Sequence, residues 1–435
     1  MSPIVPPGLV ERLKNTLARV EAEGMHLLKE AEADIMGFFD GIKQHFSEHP
    51  EPVFAILRKI KPVLLVKNFA LVTRCEDVQE VLARDDIFQV PYAHKMEAIT
   101  GGQNFFLGMQ KSPEYDRDVS NMRAAMKRDD VARIASIVAK TAEDLVAASG
   151  GKLDVAQLSR TVPVRWIAAY FGCPAKSEQD LADWASVIFQ FLFIDLNNDP
   201  AVGAATHDAA AKIRPWLDEI IAQRKAQPTD ADDVLNRCLA LQKSGAPAMD
   251  DASIRNNLIG LIVGAIPTTS KCCAQVLDEL LKRPDELAKA QAAARADDDA
   301  LLSQYVFEAL RFHPNNPGVV RIAAQESTVG KGMHATVIPK GSVVLAATQS
   351  AMFDDRIVES PHEFRVGRPD NVYMHFGYGM HMCFGQYVNR VQIPGILKPL
   401  LKRQGLQRVP GDAGKLQYKG PFPSALGVSF TSKTT

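Results

Sequence analysis

The chain has 435 residues, is 46% hydrophobic and carries a formal net charge of -1. That balance excludes a disordered polyelectrolyte and gives no global basicity for a nucleic-acid binder. Six cysteines (Cys75, Cys173, Cys238, Cys272, Cys273 and Cys383) are scattered without paired metal-type spacing, which argues against a disulfide framework and for a reducing compartment.

In chain order, Met1–Pro7 has no signal-peptide character, and a charged amphipathic helix pattern follows from about Leu9 to Ile42. Helical periodicity then predicts Val78–Ala83, Val119–Ala148, Val162–Tyr170, Gln179–Phe193, Ala204–Lys225, Ala231–Lys243, Asp251–Arg283, Pro284–Ala294, Asp298–Arg311 and Gln386–Arg403. Short strand-like runs are Val63–Val66, Ala70–Thr73, Val319–Ile322, Val343–Ala346 and Leu426–Phe430. Pro- and Gly-rich loops are expected at Asp195–Val202, Pro314–Gly318 and Gly411–Pro423. No apolar run reaches the roughly 18 residues of a spanning helix. The expectation is a cytoplasmic protein, mainly α with small β-sheets.

The most informative segment is Phe376-Gly377-Tyr378-Gly379-Met380-His381-Met382-Cys383-Phe384-Gly385, a glycine-rich loop leading into a helix pattern. A thiolate at a helix N-terminus gains from unbonded N–H groups and the positive dipole end. Gly379 and Gly385 allow close approach of a flat group or a positive φ. A cysteine alone is more often a small buried hydrophobe. The order Phe-Gly-x-Gly-x-His-x-Cys-x-Gly, however, resembles the haem-ligand loop of the cytochrome P-450 family. The resemblance extends over nearly the whole chain beyond about Asp40. It implies one cytochrome P-450 domain over 1–435, with 1–40 as a helical extension, and haem b as cofactor. Cys383 would ligate the iron, with Phe376 shielding the sulfur and His381 on a propionate.

Other motifs match the same pattern. Glu308-x-x-Arg311 resembles the family's Glu-x-x-Arg pair, with Arg368 as the third member of a structural charge network. Arg321 stands where an arginine binds a haem propionate, for which its planar fork is suited. In Pro113-Glu114-Tyr115-Asp116-Arg117-Asp118-Val119, Tyr115 and Val119 replace the family's His and Arg. Tyr115, and Arg123 one turn beyond Val119, are the substitute propionate partners. In the distal helix, Gly264-Ala265-Ile266-Pro267-Thr268-Thr269 matches the pattern Ala-Gly-x-Asp/Glu-Thr-Thr, with Thr268 as the hydroxyl serving oxygen protonation. Pro267 replaces the acid. It predicts a kink, with a freed carbonyl holding proton-carrying water, or direct use of peroxide.

The resemblance thus implies a monomeric monooxygenase without a membrane span. It would insert one oxygen atom from O2 into a hydrophobic small molecule, with electrons from a ferredoxin and its reductase. Expected pocket segments are Val90–Phe106, Phe189–Phe193, Asn315–Val319 and Pro421–Pro423, with His94, Lys95 and Asn315 as polar anchors. Arg117, Arg123, Lys127, Arg128, Arg390 and Arg403 are the basic residues expected on the carrier side. Two alternatives keep the fold: a peroxygenase or hydroperoxide isomerase, and a haem-binding sensor without turnover.

Overall fold

Between Glu51 and Ile60, apolar residues fall at helical spacing, and Val53, Phe54, Leu57 and Ile60 form the buried face of an α-helix. The computed structural model describes residues 50–431. The amphipathic pattern Leu9–Ile42 and the extension 1–40 lie outside these residues. The described chain divides into two compact units.

The first unit comprises residues up to Gln89 together with Asn316–Glu363 and Pro369–Gly379. Its core joins the face of Glu51–Ile60 to Leu64, Leu71 and Ala347. A five-stranded sheet runs in the order Val63–Val66, Phe69–Val72, Val343–Ala346, Val319–Ala323, Phe88–Gln89. Phe69–Val72 pairs parallel with Val343–Ala346, and the other neighbours are antiparallel. A side hairpin pairs Ser327–Val329 with Thr336–Ile338.

The second unit holds most of the helices. Its centre is Asp251–Leu281, which starts where Asp250 accepts a hydrogen bond from the Ser253 N–H at 3.0 Å. It packs against Val155–Trp166, Glu178–Phe189, Pro200–Ala226, Asp299–Phe312 and Gln386–Leu401. By length and hydropathy this helix could cross a membrane, but most of its apolar window is buried inside the protein. The helix expected over Asp251–Arg283 is present and runs on through Pro267. One missing N–H removes one hydrogen bond, and the packed turns on either side hold the rest.

Two expectations change. Val119–Ala148 is two helices, Pro113–Ala125 and Val131–Ala148, with a 3₁₀ turn at Arg128–Asp130 between them. The loop Gly411–Pro423 contains strand Gln417–Lys419, paired with Phe422–Ala425. The three-stranded sheet of this unit is Lys152–Asp154, Gly427–Ser429 and Gln407–Arg408.

His313 closes the C-terminus of Asp299–Phe312, with Nε2 3.3 Å from the Tyr418 hydroxyl. Burial, and next the Lys282 charge, push its pKa down to about 4. Below about pH 6.5 the unfolded chain binds a proton that the folded one refuses, so this stabilisation is complete above that pH and is lost as pH falls through 4. The contribution is on the order of 3 kcal/mol. His313→Gln is expected to flatten the loss of unfolding free energy between pH 6.5 and 4; parallel pH curves for the two proteins would refute the assignment.

Candidate functional site

Ser112 sets the proximal side. Its hydroxyl accepts from the Tyr115 N–H at 3.1 Å and caps Pro113–Ala125. That fixes the helix face carrying Tyr115 and, two turns on, Arg123. The Tyr115 hydroxyl donates to the Met380 carbonyl at 3.1 Å, and its ring meets His381 edge-on at 5.6 Å. Arg123 donates to the Phe384 carbonyl at 2.8 Å, with its guanidinium 3.7 Å from the Phe384 ring centre. The two residues hold both ends of Met380–Phe384, a positioning role the sequence reading did not assign them.

Within that grip lies Cys383, a free thiol just before the Gln386–Leu401 helix. Burial pushes its pKa up, while the Gly385 N–H bonded to the sulfur and the Arg123 charge act in the opposite direction. Gly385 has φ -89°, which any residue can adopt. A Cβ there would meet nothing within 4 Å, so open space borders Gly385, two residues after the sulfur. Gly379 differs: its φ is +73°, and a Cβ would lie 2.3 Å from the Leu82 carbonyl oxygen.

Across Asp251–Leu281 the two threonines diverge. Thr269 is buried and donates to Asn389 Oδ1 at 3.0 Å, tying this helix to Gln386–Leu401. Thr268, about 100° round the helix, is only partly buried, and its hydroxyl donates to the Gly264 carbonyl one turn earlier. Gly264 and Ala265 share that partly buried face, and a Cβ on Gly264 would meet nothing within 4 Å. Pro267 is buried.

Glu308 is fully buried. Its Oε1 accepts from Arg311 Nη2 at 2.7 Å, Arg368 Nε at 3.2 Å and the Arg365 N–H at 3.0 Å, while Oε2 accepts from Arg311 Nε at 3.0 Å. Arg321 and Phe376 belong to the first unit. Arg321 is buried on strand Val319–Ala323, where its Nη1 donates to the Val320 carbonyl.

Expected pocket segments meet through aromatic rings: Tyr92 on Phe193 at 4.9 Å, Phe189 on Phe193 at 4.9 Å and Phe189 on Phe422 at 6.1 Å. Asn315 Oδ1 is buried without a hydrogen-bond partner among the described residues. Lys95 is a correction: its ammonium donates to the Phe191 and Asp195 carbonyls at 2.7 and 2.6 Å, so the chain itself takes up the charge. Among the basic residues, Lys127, Arg128 and Arg390 are exposed, whereas Arg403 is buried and paired with Glu143. Lys271, one turn after Thr268, escaped the sequence reading. The legible signal was a lone charge inside the apolar run Leu258–Leu277.

A family model described as Cytochrome P450 matches residues 60–433. The chain belongs to the cytochrome P450 family. Similar curated proteins include nocardicin C N-oxygenase of Nocardia uniformis subsp. tsuyamanensis, 27% identical and covering 81% of this chain and 87% of that protein. Mycinamicin IV hydroxylase/epoxidase of Micromonospora griseorubida is 26% identical over 78% of this chain and 82% of its own length. A bifunctional dioxygenase–epoxy alcohol synthase of Fusarium oxysporum is 26% identical over 68% of this chain, but the match spans only 26% of that protein. Among solved structures, CalO2 has a TM-score of 0.75 at 21% identity, covering 89% of this chain and 97% of its own. CYP109E1 from Bacillus megaterium, in complex with testosterone, has a TM-score of 0.72 at 20% identity and 88% and 99% coverage. These likenesses bear out the mainly helical P450 fold.

The P450 is a monooxygenase of a haem-binding family, and the residues present fit that group. A thiol receives an N–H at a helix start, open space borders Gly385, and a second open face lies at Gly264 on the central helix.

Proposed function

We propose that this P450 uses haem b to insert one oxygen atom from O2 into a hydrophobic small molecule, acting as a cytoplasmic monomer with two electrons from a ferredoxin and its reductase. The observation that carries this reading is the Cys383 sulfur, bonded by the Gly385 N–H at the start of Gln386–Leu401, with open space beside Gly385. Cys383 would hold the haem, which when bound would supply oxygen activation favoured by electron push from a thiolate ligand. The protein's own contribution is positional. Tyr115 and Arg123 fix the loop that presents the sulfur, and the remaining Arg123 N–H groups, with His381, serve the propionates. Arg321 and Phe376 keep the roles implied by the family resemblance. Thr268, Ala265 and Gly264 line the distal face. The Thr268 hydroxyl, parked on the Gly264 carbonyl, is within a side-chain rotation of the open space. Six free cysteines agree with a reducing compartment, and exposed Lys127, Arg128 and Arg390 supply positive charge for an acidic carrier.

Pro267 decides the route of protons. Lacking both an acid and an N–H, it leaves the Val263 carbonyl without its usual helical donor, and that carbonyl holds the water that relays protons to Thr268. Pro267→Asp is expected to raise the share of NAD(P)H electrons that reach product and to lower peroxide-driven turnover relative to it. Unchanged values in both assays would reject the water relay.

A second reading is favoured by the same residue and by the relative named as an epoxy alcohol synthase. An epoxy alcohol is an isomer of an allylic hydroperoxide, so a hydroperoxide isomerase needs no external electrons. Product formed with reduced ferredoxin and O2, but not with peroxide or hydroperoxide alone, supports the first reading. The reverse supports the second.

A further inference from the structure

We propose that Lys271 is an anion anchor on the distal face, so that this P450 takes amphiphilic organic acids whose carboxylate binds within one helical turn of Thr268. The proposal rests on the monooxygenase reading of the Thr268 face and names its substrate class.

The central helix is buried at every position from Asn256 to Leu280 except Gly264, Ala265, Thr268 and Lys271. Those positions follow one another at i, i+1, i+4 and i+7, which places them on one face. The open stretch has two ends. One turn before Gly264, a Cβ on Gly260 would lie 2.2 Å from Phe105 Cε2, so Phe105 fills the space there. One turn after Lys271, Gln275 is buried and its amide donates to the Tyr418 hydroxyl at 3.5 Å. Between these closures, from Gly264 to Lys271, the partly buried face runs over about 10 Å of the helix and opens onto space at Gly264.

Lys271 is the single charged residue from Leu258 to Leu277. It makes no hydrogen bond or ion pair with any described residue; its resolved electrostatic neighbours are the Cys272 thiol and the His313 imidazole, which the Lys271 charge helps to keep neutral. A cation so densely surrounded by protein is costly unless something pairs it. Burial pushes its pKa down to about 8, so it stays mostly protonated at neutral pH. Its Cβ and that of Thr268 stand about 5–6 Å apart, as i and i+3 do on any helix. An ammonium on a four-carbon stem is a mobile point charge that suits one carboxylate. The acid end of the substrate is therefore held beside the reacting position, and oxidation falls on carbons close to the carboxylate.

The test compares straight-chain acids from octanoic to tetradecanoic with the matching primary alcohols. Binding to holoenzyme is read from the haem spin-state shift for wild type, Lys271→Met and Lys271→Arg. Wild type is expected to bind the best acid about ten- to a hundredfold tighter than its alcohol, the range for a hydrogen bond between charged groups. Lys271→Met should lose that preference by weakening the acid alone, and Lys271→Arg should restore most of it. The anchor is refuted by equal or reversed preference in wild type, by an undiminished preference in Lys271→Met, or by equal weakening of acid and alcohol, which marks a merely structural lysine. The wild-type comparison decides the matter even where Lys271→Met does not fold. The reduced carbon-monoxide spectrum of the same preparations keeps the two readings apart. A retained red-shifted band without acid preference removes the anchor alone, whereas its loss in wild type removes the haem-thiolate reading.

Discussion

Cys383→Ser is expected to remove the red-shifted band of the reduced, carbon-monoxide-bound protein and to lower monooxygenation at least about a thousandfold, equivalent to about 4 kcal/mol on the barrier. The substitution is nearly isosteric, and the loop is held from outside by Tyr115 on the Met380 carbonyl and Arg123 on the Phe384 carbonyl. Far-ultraviolet circular dichroism should therefore stay unchanged. A serine oxygen does not supply the electron push that a thiolate gives the iron. An intact red-shifted band, or turnover within tenfold of wild type, would move the ligand away from Cys383.

The second large effect is on stability. Glu308→Gln is expected to cost about 3–5 kcal/mol, because it removes the buried carboxylate charge that Arg311 and Arg368 share. Arg311→Met should cost less, since the carboxylate would keep Arg368 Nε and the Arg365 N–H. Denaturant unfolding of the two variants, followed by intrinsic fluorescence, checks both magnitude and order. A loss below about 1 kcal/mol for Glu308→Gln, or the reverse ranking, would mean that the network is not the lock it is described to be.

Long elements were legible wherever local signals agreed. Asp251–Leu281 has its aspartate cap and an apolar run, and Pro284–Arg295 opens with a proline in its first turn. The break inside Val119–Ala148 had no such signal, because its causes come from far along the chain. The Ala125 carbonyl accepts from Arg237 at 3.1 Å and the Met126 carbonyl from the Tyr387 hydroxyl at 2.8 Å. Carbonyls that would otherwise end the helix unbonded are satisfied by side chains more than a hundred residues away, so no local reading reaches the stop. The hairpin inside Gly411–Pro423 was hidden differently. Its strand Phe422–Ala425 carries Pro423, a residue that argues against strands everywhere except at edges.

The sequence by itself determined the chemistry-bearing order around Cys383, the Glu308-x-x-Arg311 pair and the departure at Pro267, because these are covalent facts of spacing. Tertiary structure alone decided where the charges end up. Lys95, a plausible substrate anchor, is used up by two carbonyls, whereas Lys271 points to no partner among the described residues. Helical periodicity tells which residues share a face. What that face meets, packed side chains at Gly260 or open space at Gly264, depends on elements brought in from elsewhere. Desolvation follows the same logic: it is set by the density of the surroundings, and only the assembled fold contains them.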